Sequence, residues 1–427
     1  MGDRPVRAVP LPAGHADIRH NNLAVVLRVL AVHGAGSRAG IAARTGLGPS
    51  TVSRLVGELI ELGLVQEAGT DHTRRAGRPA TLLEFDGRHV LALGAEINVD
   101  YLAVVGTDLA NRTVYEAQVA FDAVAAGPDR SAAALARLCR QAITAVASRP
   151  QPRPLVVSGL AVAVPGLVDA ASGVVTEAPN LHWRQVPFGA ALSTQPGLAG
   201  VDITVANDAN LGALAEYRIG AWAGTPNLVY VTGEVGIGGG IIVGGQPLLG
   251  ARGRGGEIGH MNLDPAGPPC GCGRRGCWEA LIGLGALLRA AGTRPLASPG
   301  GTGPMAPETK AASIAARARG GDERILAAFR ELGHWVGTGC ANLVNIFDPQ
   351  VIILGGFFRQ IAEWILPPAR ASLEAGVLAP GAGGCELAIS SLGFTAAARG
   401  GALHVADQVL ANPARPAGAA EDVLRRG

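Results

Sequence analysis

The sequence predicts a winged helix-turn-helix unit followed by a large α/β domain. Three observations lead there. Residues 18–85 hold helical patterns joined at glycines, then two strand-like runs around an arginine-bearing loop. Strand and helix patterns alternate from 88 to 410, the signature of α/β architecture. At 427 residues, 48% of them hydrophobic, the chain is long enough to bury more than one core.

Composition removes several classes. Charged residues make up 16% and the net charge is +2, which excludes a disordered acidic or basic chain. The 62 glycines follow no three-residue period, so the chain is not collagen-like. No apolar run reaches the ~18 residues of a membrane span. The N-terminus lacks the apolar core of a signal peptide, so a cytoplasmic protein is expected. The charge is uneven. Residues 1–85 carry ten arginines against seven acids, and the remainder 26 basic residues against 27 acids.

In the N-terminal unit, Leu23, Val26, Leu27 and Leu30 fall at helical spacing. Ser37 is placed to cap a second helix that Gly46 stops. Pro49 suits the first turn of a third, with Gly63 at its end. Ala42, Gly46, Val52 and Leu55 supply the small contact, the turn and the inner face that a helix-turn-helix requires. The outer face then carries Ser50, Thr51, Ser53 and Arg54, which suit phosphates and base edges. LVQEAG and ATLLEFD read as wing strands, and the loop between them holds Arg74, Arg75 and Arg78 for the backbone or a minor groove. The same helical spacing fits a hairpin used for dimerisation or packing, but that alternative has no use for the wing arginines.

In the second domain, residues 88–110 read as a hairpin, and PLVVSGLAVAVPGLVD as a strand buried on both faces. Further strands are expected at ITVAND, LVYVTG, GGGIIVGG and VIILGG, and helices at 129–148, 209–221, 279–291, 311–319 and 322–347. Residues 292–310 read as a Gly/Pro-rich loop, and 1–17 and 411–427 as flexible ends. The domains are therefore placed at 18–85 and 86–410.

Of six cysteines, Cys139, Cys340 and Cys385 lie in apolar contexts. Cys270, Cys272 and Cys277 fall within eight residues, close after His260. Three thiolates and an imidazole make a tetrahedral zinc set with no open position, hence structural. A chance cluster of free thiols is the alternative. Asn207 and Asp208 end an apolar strand and precede a helix, the place where ligands enter open α/β sheets. The cysteine loop draws Glu257, His260 and Glu279 together, and Asn180 adds an amide. Such a set suits a polyhydroxyl ligand, although solvated loop carboxylates and a turn asparagine would look the same.

These motifs together resemble the ROK family (repressors, uncharacterised reading frames and sugar kinases), and its repressor branch in particular. The resemblance runs from about Ile18 to about Val409. It is carried by the Gly77-Arg78-Pro79 wing and by AVAVPGLVD, EAPNLHW, VANDAN, GGEIGH, CGCGRRGCWE and NIFDPQVIILGG. It implies a two-lobed, actin-like/hexokinase-like (ribonuclease H-type) fold with sugar in the cleft. On that resemblance Asn180, Asn207, Asp208, Glu257, His260 and Glu279 would contact sugar hydroxyls. Asp208 would be the base of a kinase, and His260, Cys270, Cys272 and Cys277 would hold zinc.

The sequence departs from the kinases of the family at both phosphate loops. Their Asp-x-Gly-Gly-Thr is replaced by Glu96-Ile97-Asn98-Val99-Asp100, and their Gly-Thr-Gly by Glu234-Val235-Gly236. Two unit charges ~4 Å apart repel by ~4 kcal/mol at an effective dielectric of ~20, so each added carboxylate opposes a triphosphate by ~10³-fold. No ATP is expected, and Asp208 is expected to be a vestigial base. The resulting expectation is a sugar-responsive regulator, most simply a repressor of carbohydrate genes that binds operator DNA as a homodimer or tetramer. A sugar kinase with an appended DNA-binding domain is the alternative.

Overall fold

The computed structural model describes residues 15–71, 80–150, 153–292, 307–379, 384–413, 418–419 and 423. Two compact units form, one from Met1–Val90 with Ala406–Pro416, the other from Leu91–Val405 with Ala417–Gly427.

The first unit has the helices and wing strands that the sequence predicts, with local differences. Helix His15–His33 starts earlier than expected and buries Leu23, Val26, Leu27 and Leu30. Ser37 caps Arg38–Thr45 by accepting from the Gly40 amide, and Gly46 ends it in the left-handed region at φ 72°. Ile41, rather than Ala42, is the buried residue of that helix. Gly48 and Pro49 open the third helix, Pro49–Glu61, whose Val52, Leu55, Val56 and Leu59 are buried. Leu62 closes it, and Gly63 follows at φ 73°. Strands Val65–Asp71 and Ala80–Phe85 pair antiparallel, with the short strand Gly36–Ser37 on the outer edge of Ala80–Phe85. The wing residues Arg74, Arg75, Gly77, Arg78 and Pro79 lie outside the described residues.

The second unit has two lobes, each around its own sheet and core. The first-lobe sheet runs, in spatial order, through Ile203–Asn207, Val156–Val164, Val90–Ile97, Tyr101–Thr107 and Thr113–Ala120. All residues of Val90–Ile97 and Tyr101–Thr107 are buried, so the expected hairpin is central. The second-lobe sheet orders Gln246–Pro247, Ile237–Val243, Leu228–Gly233, Val351–Gly356 and Glu386–Ile389. Parallel pairing of Leu228–Gly233 with Val351–Gly356 puts a crossover of more than a hundred residues between neighbours.

Several elements differ from expectation, each for a local reason. Helix 129–148 begins at Ala123, where Asp122 caps it, and bends at Gly127 (φ 70°), just before Pro128. The helix expected at 279–291 is two, Trp278–Ile282 and Leu284–Ala290, because Gly283 between them is extended. Strand Thr113–Ala120 and helices Phe358–Gly376 and Ala396–Ala411 were not foreseen individually. The strand is mostly exposed and lacks an apolar run. Phe358–Gly376 contains Pro367 and Pro368, which read as breakers. Among the described residues no helix is long and apolar enough to cross a membrane.

Gly94, in the middle of Val90–Ile97, lets helix Ala396–Ala411 lie on the strand. A Cβ there would stand 1.8 Å from the Ala398 carbonyl oxygen and 2.3 Å from the Ala402 nitrogen. Gly94→Ala is therefore expected to lower stability by about 2 kcal/mol or more, read as a drop in thermal midpoint. An unchanged midpoint would show that the helix is not held by this contact.

Candidate functional site

A cavity of about 700 Å³ lies between the two lobes. Parallel strands Val156–Val164 and Ile203–Asn207 end at it, and helix Asp208–Ile219 starts from it. Asn207 is the N-cap of that helix. Its Oδ1 accepts from the Asn210 amide (3.0 Å), while its Nδ2 donates to the Gly166 carbonyl (3.0 Å). The side chain is thereby fixed in place at the mouth of the strand ends. Asp208 follows, 8% exposed, with Oδ1 accepting from the Ala209 amide at 2.8 Å. Burial pushes its carboxyl up to about 7; the Ala209 amide opposes the shift and Glu257 adds to it.

Asn180 sits on a short 3-10 turn, Pro179–Leu181, and Glu257 precedes another, Ile258–His260. Glu257 opens to solvent at the cavity, yet desolvation still raises its carboxyl; His260 opposes this and Glu279 reinforces it. Glu279, on Trp278–Ile282, accepts from the Ile237 amide at 3.1 Å and from the Cys270 thiol at 3.5 Å. Asn180, Asn207, Asp208, Glu257, His260 and Glu279 all line this one cavity.

The cysteine loop abuts it. One ligand atom each from His260, Cys270, Cys272 and Cys277 lies within 4.8 Å of the others. Cys270 Sγ is 3.8 Å from His260 Nδ1, and Cys272 Sγ is 3.6 Å from Cys277 Sγ. A tetrahedron with ~2.3 Å metal–sulfur bonds has edges of about 3.8 Å, so these donors fit a metal ion. Gly276 makes the closure possible: at φ 64°, any Cβ would strike the Asp264 carbonyl at 1.5 Å. Burial pushes the Cys270 thiol up to about 12 and raises Cys277 as well, while for Cys272 the side chain and amide of Arg274 outweigh burial and bring it down to about 6. Trp278, next to Cys277, is fully buried and donates its indole N–H to the Trp335 carbonyl at 2.8 Å, anchoring the loop in the second-lobe core.

The two segments compared above with kinase phosphate loops meet at the cavity floor. Asn98, Val99, Glu234, Val235 and Gly236 line it. Asp100 does not; contrary to expectation it turns away to Lys310 (3.5 Å). Sequence reasoning missed Tyr101, Glu177, Arg184 and Arg274. Tyr101 lies just below the floor, its hydroxyl 2.6 Å from Glu96 and 2.8 Å from Glu234. Glu177 and Arg184 pair at the rim (2.9 Å), and Arg274 lines the cavity beside Cys272. Glu177 and Arg274 lie inside the quoted segments EAPNLHW and CGCGRRGCWE without having been singled out, Arg184 enters through the strand register that places it opposite Glu177, and no motif marks Tyr101. Gly236 also matters, since a Cβ there would strike Glu279 at 2.4 Å.

On the first unit, Ser50, Ser53 and Arg54 are exposed and Thr51 half-buried, on the face of Pro49–Glu61 opposite its buried residues.

The ROK family model matches residues 92–408 of the chain, and an IclR helix-turn-helix domain model matches residues 22–69. The chain belongs to the ROK family. It is 30% identical to the xylose repressor of Bacillus subtilis over 92% of this chain and 97% of that one. A glucokinase of Streptomyces coelicolor is 37% identical over 49% of this chain and 67% of its own. Among solved structures, a ROK family transcriptional regulator, described as a homologue of the E. coli Mlc protein, superposes with TM-score 0.74. It covers 96% of this chain and 100% of its own at 24% identity, so the two share a fold. This ROK chain thus has the actin-like α/β domain of the family behind a helix-turn-helix unit.

The Asp208 carboxyl yields a prediction. Its folded value near 7 stands above an unfolded value near 3.8, so the folded state loses stability as pH rises from about 4 to about 7. Asp208→Asn removes that loss. At pH 8 the variant is expected to be more stable than wild type by on the order of 3 kcal/mol, with the difference vanishing near pH 4. Unfolding midpoints across that range test it; a pH-independent difference would contradict it.

Proposed function

We propose that this ROK chain is a sugar-responsive DNA-binding transcriptional repressor of carbohydrate uptake or catabolism genes. The observation that carries the reading is one chain with both parts: a helix-turn-helix unit exposing Ser50, Ser53 and Arg54, and a cleft in which Asn180, Asn207, Asp208, Glu257, His260 and Glu279 line one cavity. In this reading Asn180, Asn207, Asp208, Glu257, His260 and Glu279 bind sugar hydroxyls. Ser50, Thr51, Ser53 and Arg54 read operator DNA, with Arg74, Arg75 and Arg78 of the wing on its backbone. Repressors with such heads act as dimers on paired half-sites, and we assign a dimer or tetramer here. The xylose repressor similarity makes a pentose the first ligand to try.

The reading includes no phosphoryl transfer. Glu234 on the cavity floor, with Glu96 beneath it, puts buried carboxyl groups where a nucleotide's phosphates would come and offers those phosphates no cation. Asp208 survives as a ligand for a hydroxyl. A sugar kinase is the second reading, favoured by the similarity to glucokinase and by Asp208 itself. For the metal we propose zinc, structural because its four donors leave no position open. His260 would then serve both sites, Nδ1 on the metal side and Nε2 for the sugar.

A gel-shift titration on promoter DNA beside the gene, with a panel of pentoses, hexoses and N-acetyl sugars, tests the main reading. Binding that one sugar weakens at least tenfold is expected; no DNA binding under any condition would sink it. A coupled ADP-release assay with the same panel is expected to show no turnover, and turnover abolished by Asp208→Asn would establish the kinase. Elemental analysis is expected to find about one zinc per chain in the wild type and none in Cys272→Ser, with a lower thermal midpoint. A metal-free wild type of full stability would contradict the zinc assignment.

A further inference from the structure

The floor of the cleft holds a second feature, independent of which ligand the cleft takes. Glu96 and Tyr101 belong to the first-lobe hairpin, and Glu234 follows the second-lobe strand Leu228–Gly233. Glu96 is 0%, Tyr101 1% and Glu234 9% exposed. Tyr101 Oη stands 2.6 Å from Glu96 Oε1 and 2.8 Å from Glu234 Oε2. Asn98, also in the hairpin, donates its amide to Glu234 and, at 3.4 Å, to Glu96. Here two carboxyl groups from opposite lobes meet on one phenol.

Proton counting shows what holds them. The phenol has one hydrogen, which it gives to one carboxylate. Its second contact is a hydrogen bond only if the other carboxyl is protonated and donates to Oη. With both carboxyls ionised, one contact becomes a lone-pair clash, and two buried like charges face each other across the lobes. We propose that Glu96, Tyr101 and Glu234 form a proton-dependent clasp that joins the two lobes at the cleft floor and loosens as pH rises.

The surroundings agree. Burial raises both glutamates, Glu96 to about 8, and Tyr101 as well. Other titratable groups facing the cluster are Asp208 from helix Asp208–Ile219, Asp100 from the hairpin and Tyr230 from the strand before Glu234. Glu216 lies behind Tyr230, where Ser390 donates to it. The cation Lys310 bonds Asp100 rather than either glutamate. Helix Ala396–Ala411 adds a backbone contact from Ala398 to Glu96, and the Phe394 carbonyl lies 3.5 Å from Tyr101 Oη. Burial raises Glu234 as well as Glu96, and one proton on the pair is enough, so the clasp holds through neutrality and loosens only when both carboxyls are ionised, on the alkaline side of about 8.

Hydrogen–deuterium exchange on the full, ligand-free chain tests this, at pH 6 and at about pH 10, where both carboxyls are expected to be ionised, with intrinsic rates corrected. Segments 96–101 and 232–237 are expected to exchange at least tenfold faster at the higher pH, while strand Val351–Gly356 stays unchanged. Glu234→Gln cannot ionise, and its amide N–H can donate to Tyr101 Oη when Glu96 is ionised and holds the phenol's hydrogen, so its two segments should show no such acceleration. Tyr101→Phe keeps both carboxyls and loses the bridge, so its segments should open at both pH values. Equal protection of wild type at the two pH values would overturn the clasp. So would a Glu234→Gln variant as pH-sensitive as wild type, or a Tyr101→Phe variant that behaves like it.

Discussion

The second unit is organised by the need to keep carboxyl groups in a partly buried cleft without a matching set of cations. Glu96, Asp208, Glu234, Glu257 and Glu279 come from both lobes to the cavity or its floor. The basic groups at its wall are engaged elsewhere: Arg184 with Glu177, Arg274 with Cys272, and His260 beside Cys270. Desolvation without a counter-charge favours the neutral acid, so Asp208, Glu96 and Glu234 are all raised. Neutral acids and amides exchange hydrogen bonds with hydroxyls in both directions, whereas the charge of a phosphate would find no cation among the floor residues Asn98, Val99, Glu234, Val235 and Gly236. The same chemistry that suits a sugar therefore works against a nucleotide.

The cysteine loop is the mechanical complement of that cleft. It holds His260, Cys270, Cys272 and Cys277 at the spacing of a metal tetrahedron and is tied to the second-lobe core through Trp278. Glu257 enters it from one side and Glu279 leaves from the other, so whatever fixes the loop also fixes two carboxylates of the cavity. Glu279 is held from both ends, by the Ile237 amide and the Cys270 thiol.

Much of this was legible in the residues. Ser37, Gly46 and Pro49 announce the ends of their helices because capping and left-handed turns are local chemistry. The cysteine spacing pointed to the gathering of His260, Cys270, Cys272 and Cys277 for the same reason. Asn207 and Asp208 at a strand end, and Glu257, His260 and Glu279 around the cysteine loop, were legible as lining residues because those two features gather them. What escaped depends on tertiary partners. The Tyr101 hydroxyl matters only through Glu234, 133 positions away, and Arg184 enters through its strand register. Asp100 was expected to face the cleft, but Lys310 on a helix from the other lobe draws it away. The arginines of the wing lie outside the described residues, so the modest basic excess of the first 85 residues is the sequence's contribution alone.

The two units matter together only if the cleft and the DNA head share one free energy. Linkage makes that a reciprocal quantity: a sugar that weakens DNA binding by some factor must itself be bound more weakly, by the same factor, when DNA is present. Calorimetric titration of the effective sugar into the free chain and into its operator complex measures this directly. A sugar affinity at least tenfold weaker on the complex, matching the factor found from the DNA side, is the result expected of a sugar-released repressor. Equal sugar affinities for the free chain and the complex would contradict it.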